Sequence, residues 1–223
     1  IIVNTQNTTV PPWYFYKYSK TKKLQTDSKM ALWGASDSDE SKPKNLTTAE
    51  KKEVFANSTG WVREAGSAWS GNNNTNADPE LLVAVSGLAV SLGAADVTEV
   101  EWITTEADKS AGFTLSIRVR YNEAVTVTGN PTLAVTNGNQ GTGSGRGPHT
   151  LVYASGSGTN ELVFSLAIAA ANAATNADDV LVVGAQNIAL AGGTMKDTGT
   201  TTNSAVAISA AQGTACGSIT VVA

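Results

Sequence analysis

The sequence predicts a mainly β protein: a two-sheet antiparallel β-sandwich at the C-terminal end, preceded by an extended N-terminal arm that carries one short helix. Three observations carry that expectation. From Val97 onward apolar residues recur at every second position in short runs, and turn clusters rich in Gly, Asn, Pro and Ser separate the runs. No sustained helical period lies between them, which argues against a parallel α/β sheet. Ala and Thr supply 60 of the 223 residues and charged residues only 15%, a composition poor in helix-surface chemistry. The expected division is an arm or docking region over residues 1–95 and a sandwich over 96–223.

The chain is electrically two-part. Residues 1–63 carry ten Lys/Arg against six Asp/Glu, whereas residues 64–223 carry five against thirteen, giving the net charge of −4. Nine of the fourteen aromatic residues also precede residue 70. From Ile1 to about Ser41 there is no strand or helix period, and Pro11-Pro12 and the run Ser36 to Ser41 read as loop. Ordering such a segment costs about 1–2 kcal/mol of backbone entropy per residue, so its aromatics must find a surface. Trp13, Tyr14, Phe15, Tyr16, Lys17 and Tyr18, with Lys20, Lys22, Lys23 and Trp33, are therefore the candidate partner-binding residues. The alternative is that these rings fold back as the core of a small N-terminal subdomain. The chain opens at Ile1 rather than Met and shows no signal-peptide pattern, so a processed start and an upstream one both stay open.

Further along, Thr47-Thr48-Ala49-Glu50 fits a capping box, which predicts a helix near 48–57 that ends before Gly60. Two or three turns cannot stand alone in water, so Val54, Phe55 and Trp61 are its expected anchors. In the C-terminal region Phe113, Leu115, Ile117, Val119 and Tyr121 alternate with Thr114, Ser116, Arg118 and Arg120, one face buried and one wet. The pairs Val125/Val127, Leu133/Val135, Leu151/Tyr153, Leu162/Phe164/Leu166/Ile168, Val180/Val182, Ile188/Leu190, Val206/Ile208 and Ile219/Val221 repeat the pattern. Ala169 to Ala177 is open between a helical turn and a wide loop.

Three motifs carry a resemblance. The run Ile117 to Leu133 contains Val125-Thr126-Val127-Thr128-Gly129-Asn130-Pro131-Thr132-Leu133. Tyr153-Ala154-Ser155-Gly156-Ser157-Gly158-Thr159 leads into Leu162-Val163-Phe164, and Gly192-Gly193-Thr194-Met195-Lys196-Asp197 follows in the same order. Over about residues 97–210 the chain resembles the bacterial Ig-like repeat of large surface proteins and adhesins. That resemblance implies an Ig-like sandwich acting as spacer or display, and it transfers no functional residue. The stretches Leu24 to Met30, Lys42 to Asn57, Gly60-Trp61-Val62 and Ala77 to Leu88 resemble structural proteins of tailed phages, notably those of cyanobacteria. This second resemblance implies a non-enzymatic capsid decoration protein that docks on the major capsid protein or other virion proteins and displays its sandwich on the virion surface. Assembly would take place in the host cytoplasm, which the absence of any intrachain disulfide (Cys216 is the sole cysteine) fits. Two other classes compete: an adhesion module binding a host-surface glycan through Trp102 or the loop Gly141 to Gly147, and a self-polymerising homo-oligomeric filament subunit formed by strand addition.

Little in the chain points to catalysis, and the expectation is no enzyme, no cofactor and no metal. His149 is the single histidine, so no multi-histidine zinc site can form, and it reads as a strand-entry loop residue. Cys216 has no base in sequence reach and reads as a buried or unreactive thiol. Gly141 to Gly147 is followed by Pro148 and a strand rather than a helix, so it reads as a hairpin tip, with Arg146 free to touch a partner. Asp37, Asp39, Glu40, Asp178 and Asp179 lack calcium-loop spacing and read as solvated loop charges. No motif selects a pair of carboxylates for glycoside hydrolysis. The lysines among the N-terminal aromatics suit a polyanion locally, but a pI near 5.0 opposes nucleic acid. No apolar run reaches the roughly 18–20 residues of a membrane span.

Overall fold

The computed structural model describes residues 42–43, 45–137, 148–170 and 175–223, all within one compact unit spanning Trp33–Ala223. The chain is mainly β, as the sequence predicts. In chain order the described elements are α1 (Thr48–Lys51), β1 (Val54–Asn57), β2 (Gly60–Arg63), β3 (Glu80–Ala84), α2 (Leu88–Ser91), β4 (Val97–Trp102), β5 (Ala107–Asp108) and β6 (Phe113–Thr128). There follow β7 (Thr132–Asn137), β8 (His149–Ser155), β9 (Thr159–Ile168), β10 (Val180–Val182), β11 (Gln186–Asn187), β12 (Thr194–Asp197), β13 (Ala207–Ile208), α3 (Ala210–Cys216) and β14 (Ser218–Val222).

The capping box forms as expected: Thr47 Oγ1 accepts from the Glu50 amide at 3.2 Å and Glu50 Oε2 accepts from the Thr47 amide at 2.8 Å. The helix expected near 48–57 nevertheless stops at Lys51, and Val54–Asn57 is a strand. Val54 and Phe55 are good strand formers, and Asn57 Oδ1 accepts from the amides of Thr59 (2.8 Å) and Gly60 (3.2 Å), closing a tight hairpin onto β2. Sheet pairing outweighs the weak propensity of a short helix. Gly60 is obligatory here, because its φ is +143° and a Cβ would collide with the Val83 carbonyl of β3. Val54, Ala56, Trp61, Leu88 and Leu92 form a small core of their own under this hairpin.

β6 is the spine of the molecule. Sequence reading suggests two strands, Phe113 to Tyr121 and Val125/Val127, but they are one strand of 16 residues. Antiparallel β9 pairs with it from Phe113↔Ile168 to Arg120↔Glu161, while β4 pairs on its other edge from Trp102↔Ile117 to Val97↔Tyr121. Its C-terminal end takes β12 (Val125↔Asp197 to Thr128↔Thr194), and β1 joins in parallel at Ala56↔Glu123. From β9 the hydrogen-bonded order continues β8–β7–β10–β14–β5.

That path folds back on itself into a sandwich-like arrangement around one core. Val100 of β4, Leu115, Ile117, Val119 and Tyr121 of β6, and Leu162, Phe164 and Ile168 of β9 meet Leu133, Val135, Leu181, Ile219 and Val221 in a single cluster. Each fully buried side chain of this size contributes about 1.5–3 kcal/mol over exposure. Phe164 meets the Tyr153 ring edge-on, with centroids 6.0 Å apart. The Tyr121 hydroxyl, buried with its ring, donates to the Ala205 carbonyl at 3.0 Å.

Two helices went unread in the sequence. α3 is capped by Ser209, whose Oγ accepts from the Gln212 amide at 3.2 Å while Gln212 Oε1 returns to the Ser209 amide at 2.8 Å. The Ser-x-x-Gln spacing is the capping-box signal, and it sits directly after the Val206/Ile208 alternation, which reads as strand. α2 is one turn entered through Gly87 at φ +71°. The Ala169 to Ala177 segment lies partly outside the described residues.

Candidate functional site

The alternation along β6 puts Arg118 and Arg120 on the face away from the core. Sequence reading makes that face wet, but Arg120 is only 8% exposed. The hairpin of residues 54–63 and its flanking chain cover it. Register then determines its company. Glu99 and Glu161 lie directly across from Arg120 on β4 and β9, and Glu101 lies across from Arg118. Glu64, immediately after β2, completes the group from the hairpin side.

Arg120 reaches Glu64 Oε2 through Nη1 at 2.8 Å, Glu161 Oε1 through Nη2 at 2.8 Å, Glu101 Oε1 through Nη2 at 3.3 Å and Glu99 Oε2 through Nε at 3.9 Å. Its Nη1 also donates to the Lys52 carbonyl at 3.2 Å. Arg118 donates to Glu101 at 2.8 Å, Lys52 pairs with Glu99, and Asn160 Nδ2 donates to Glu64 Oε1 at 2.6 Å. Four carboxylates therefore share two guanidiniums and one ammonium.

One negative charge is in excess. Burial pushes the Glu64 carboxyl from its ordinary 4.5 up to about 7, with Arg120 opposing the rise and Glu161 reinforcing it. An acid whose folded pKa exceeds its unfolded one stabilises the fold fully below the unfolded value. That contribution is lost as pH rises through about 7. His149 slopes the other way, since burial lowers its pKa and its neutral form is favoured as pH rises through 6.5. The comparison that isolates Glu64 is therefore wild type against Glu64→Gln. The variant is expected to gain stability relative to wild type between pH 5 and pH 8, by an amount on the order of 3 kcal/mol at most, at about 1.4 kcal/mol per pKa unit. Urea midpoints across that range measure it, and a pH-independent difference would contradict it.

A raised-pKa carboxyl beside a second carboxylate is also the pattern of an acid–base pair. Geometry favours the structural role. Neither described recess is lined by a member of this cluster, and its side chains are spent on one another across the junction between hairpin and sandwich.

The second feature is the loop from β2 to β3. Glu53 accepts from the amides of Ala68 (3.0 Å, Oε1) and Trp69 (3.2 Å, Oε2), and Arg63 Nη1 donates to the Trp69 carbonyl at 2.8 Å. The peptide of Trp69 is thus held on both sides, yet its side chain leaves the residue 51% exposed. An open recess of about 610 Å3 adjoins it, lined by Gly66, Ser67, Ala68, Gly71, Asn72 and Asn73.

The residues singled out on sequence fall elsewhere. Trp13, Tyr14, Phe15, Tyr16, Lys17, Tyr18, Lys20, Lys22, Lys23 and Trp33 lie outside the described residues, as do Asp37, Asp39, Glu40, Arg146 and the loop 141–147. His149 is the first residue of β8 rather than a loop residue, and it is buried, with Nε2 3.2 Å from Thr175 Oγ1. Asp179 is fully buried, not solvated; it accepts from Asn137 Nδ2 at 3.0 Å and the Asn176 amide at 2.8 Å. Trp102 packs partly buried against the core with its indole N–H donating to the Gly217 carbonyl at 3.4 Å. Cys216 is half-buried, and burial, with Glu101 and Glu99 nearby, pushes its thiol up to about 11, which keeps it protonated and inert at neutral pH. Among the described residues no three His, Cys, Asp or Glu side chains gather as metal ligands, and no helix is long and apolar enough to cross a membrane.

Comparison with protein-family models, with curated proteins and with solved structures found no match.

Proposed function

We propose that the chain is a non-enzymatic virion structural protein, a capsid decoration protein that docks through its N-terminal region and displays an Ig-like sandwich. The reading starts from the resemblance of residues 20–105 to phage structural segments and of residues 97–210 to Ig-like repeats. One structural observation supports it above the others. The hairpin that follows the N-terminal region is joined to the sandwich both by backbone pairing at Ala56↔Glu123 and by the Arg120 cluster. A force applied where the chain is anchored is therefore passed to the displayed module through a stiff junction rather than a loose linker.

Docking is driven in this account by burial of Trp13 to Tyr18 against capsid subunits, and binding to the assembled shell stabilises it over free subunits by mass action. Repetition around the shell multiplies modest contacts. The test is co-sedimentation with capsids assembled from the major capsid protein of the same virus. The intact chain is expected to pellet with capsids, and a chain lacking residues 13–18 to stay in the supernatant. Equal pelleting of both, or of neither, overturns the docking account. Binding to host cells that survives the deletion favours the adhesion module instead.

A further inference from the structure

We propose that the β2–β3 loop is a binding site for a neutral carbohydrate, with Trp69 as the stacking platform and Asn72 and Asn73 as the hydroxyl-reading groups. The proposal does not rest on capsid docking, which concerns a different segment.

Chemistry comes first. From Ala65 to Ala77 the loop contains no charged residue; it is built of Ala, Ser, Gly, Asn and Thr around a single Trp. Amides and hydroxyls both donate and accept, which matches the vicinal hydroxyls of a sugar. An indole face supplies the large, rigid apolar surface that the C–H face of a pyranose needs. Binding loops elsewhere use the same palette, because Trp adds contact area at low entropy cost and Ser, Gly and Asn add adaptable hydrogen bonds.

The geometry agrees. Trp69 follows Ala68 of the recess lining in sequence, its backbone clamped by Glu53 and Arg63 while the residue is left 51% exposed. A lone exposed aromatic is ordinary on a protein surface. A clamped one beside a recess of about 610 Å3 is less so, and that volume is the size of a small-ligand site. The wall is held in place from within. Ser70 Oγ, with one proton to give, lies within hydrogen-bond reach of the carbonyls of Asn72 (2.7 Å) and Ser67 (3.0 Å), and the Oδ1 atoms of Asn72 and Asn74 accept from the amides two residues on, at 3.0 and 3.1 Å. Asn72 thus spends its acceptor on the loop and keeps its amide N–H donors.

Charge excludes the main alternatives. Glu53 beside the loop already holds the Ala68 and Trp69 amides, and the nearby cation, Arg63, already serves the Trp69 carbonyl, Glu50 (3.7 Å) and Glu80 (3.5 Å). A neutral sugar needs neither.

The test uses the full chain with glucose, galactose, mannose, N-acetylglucosamine and N-acetylgalactosamine and their β-linked disaccharides, read by saturation-transfer NMR. The indole N–H resonance of Trp69 is assigned by its loss in Trp69→Phe. At least one neutral sugar is expected to receive saturation and to shift that resonance with millimolar affinity. Trp69→Ala should weaken binding about tenfold or more, equivalent to about 1.4 kcal/mol, Asn73→Ala should weaken it less, and Trp69→Phe should keep part of it. Because the Trp69 side chain is half exposed, these variants should keep the wild-type melting temperature, which separates lost binding from lost folding. No response from any neutral sugar at 20 mM-scale concentration, an unchanged affinity in Trp69→Ala, or binding confined to charged sugars overturns the proposal. So does a protein partner that buries Trp69 while no sugar binds.

Discussion

Replacing Arg120 with alanine is expected to cost about 3–5 kcal/mol at pH 8, the usual penalty for leaving buried charges without their partner. The guanidinium is the one group that touches Glu64, Glu99, Glu101 and Glu161 together. Without it, four carboxylates face Arg118 and Lys52 alone, and the hairpin loses its bond from Arg120 to the Lys52 carbonyl as well. The loss should shrink as the pH falls. Glu64 already sits near 7 with Arg120 present, and removing the cation raises it further, so protonation below neutral pH relieves the repulsion. Chemical denaturation of wild type and Arg120→Ala at pH 8 and pH 5.5 measures both parts. A penalty under 1 kcal/mol at pH 8, or one that grows on acidification, would show that solvent enters the cluster and screens it.

Trp61→Ala should act differently, releasing the hairpin while the sandwich stays folded. Trp61 is fully buried in the small core with Val54, Ala56, Leu88 and Leu92, apart from the sandwich core. Truncating a buried Trp costs about 3–5 kcal/mol, and that cost falls on a core of five buried side chains, so local opening is the expected response. Hydrogen exchange read by mass spectrometry should show protection lost across residues 54–92 and retained in β6 and β9. Uniform loss through both would mean that hairpin and sandwich unfold as one cooperative unit.

The sandwich was legible because its signal is local. Leu115, Ile117, Val119 and Tyr121 alternate on one strand and all point into the same core, so period two alone reveals them. The short partners were harder. β11 and β13 have two residues each, and their pairing is fixed by what lies across from them rather than by their own pattern. α1 was legible through its cap but not in its length, since Val54 and Phe55 obey a strand partner that begins only after the turn at Ser58 and Thr59.

The candidate features were less legible still. Glu64, Glu99, Glu101, Arg120 and Glu161 span almost a hundred positions; the register of β4, β6 and β9 brings four of them together, and the hairpin laid over that face brings Glu64. An alternating Arg on a strand reads as solvent-facing until one knows what covers it. The Trp69 loop carries a weak sequence signal, a single aromatic within a run free of charge, beside a much denser aromatic cluster at the N-terminus.

The placement of Glu64 and Glu161 on either side of Arg120 also bears on how the chain matures on the ribosome. The hairpin emerges first, and its docking surface on β6 and β9 is synthesised up to 97 residues later, the separation of positions 64 and 161. At about 5–20 residues per second that interval is roughly 5–20 s. During it Glu64 keeps its hydration, and the hairpin side of the junction stays polar and open to water. A nascent half that waits with charge rather than grease at its unfinished seam has little to offer a wrong neighbour.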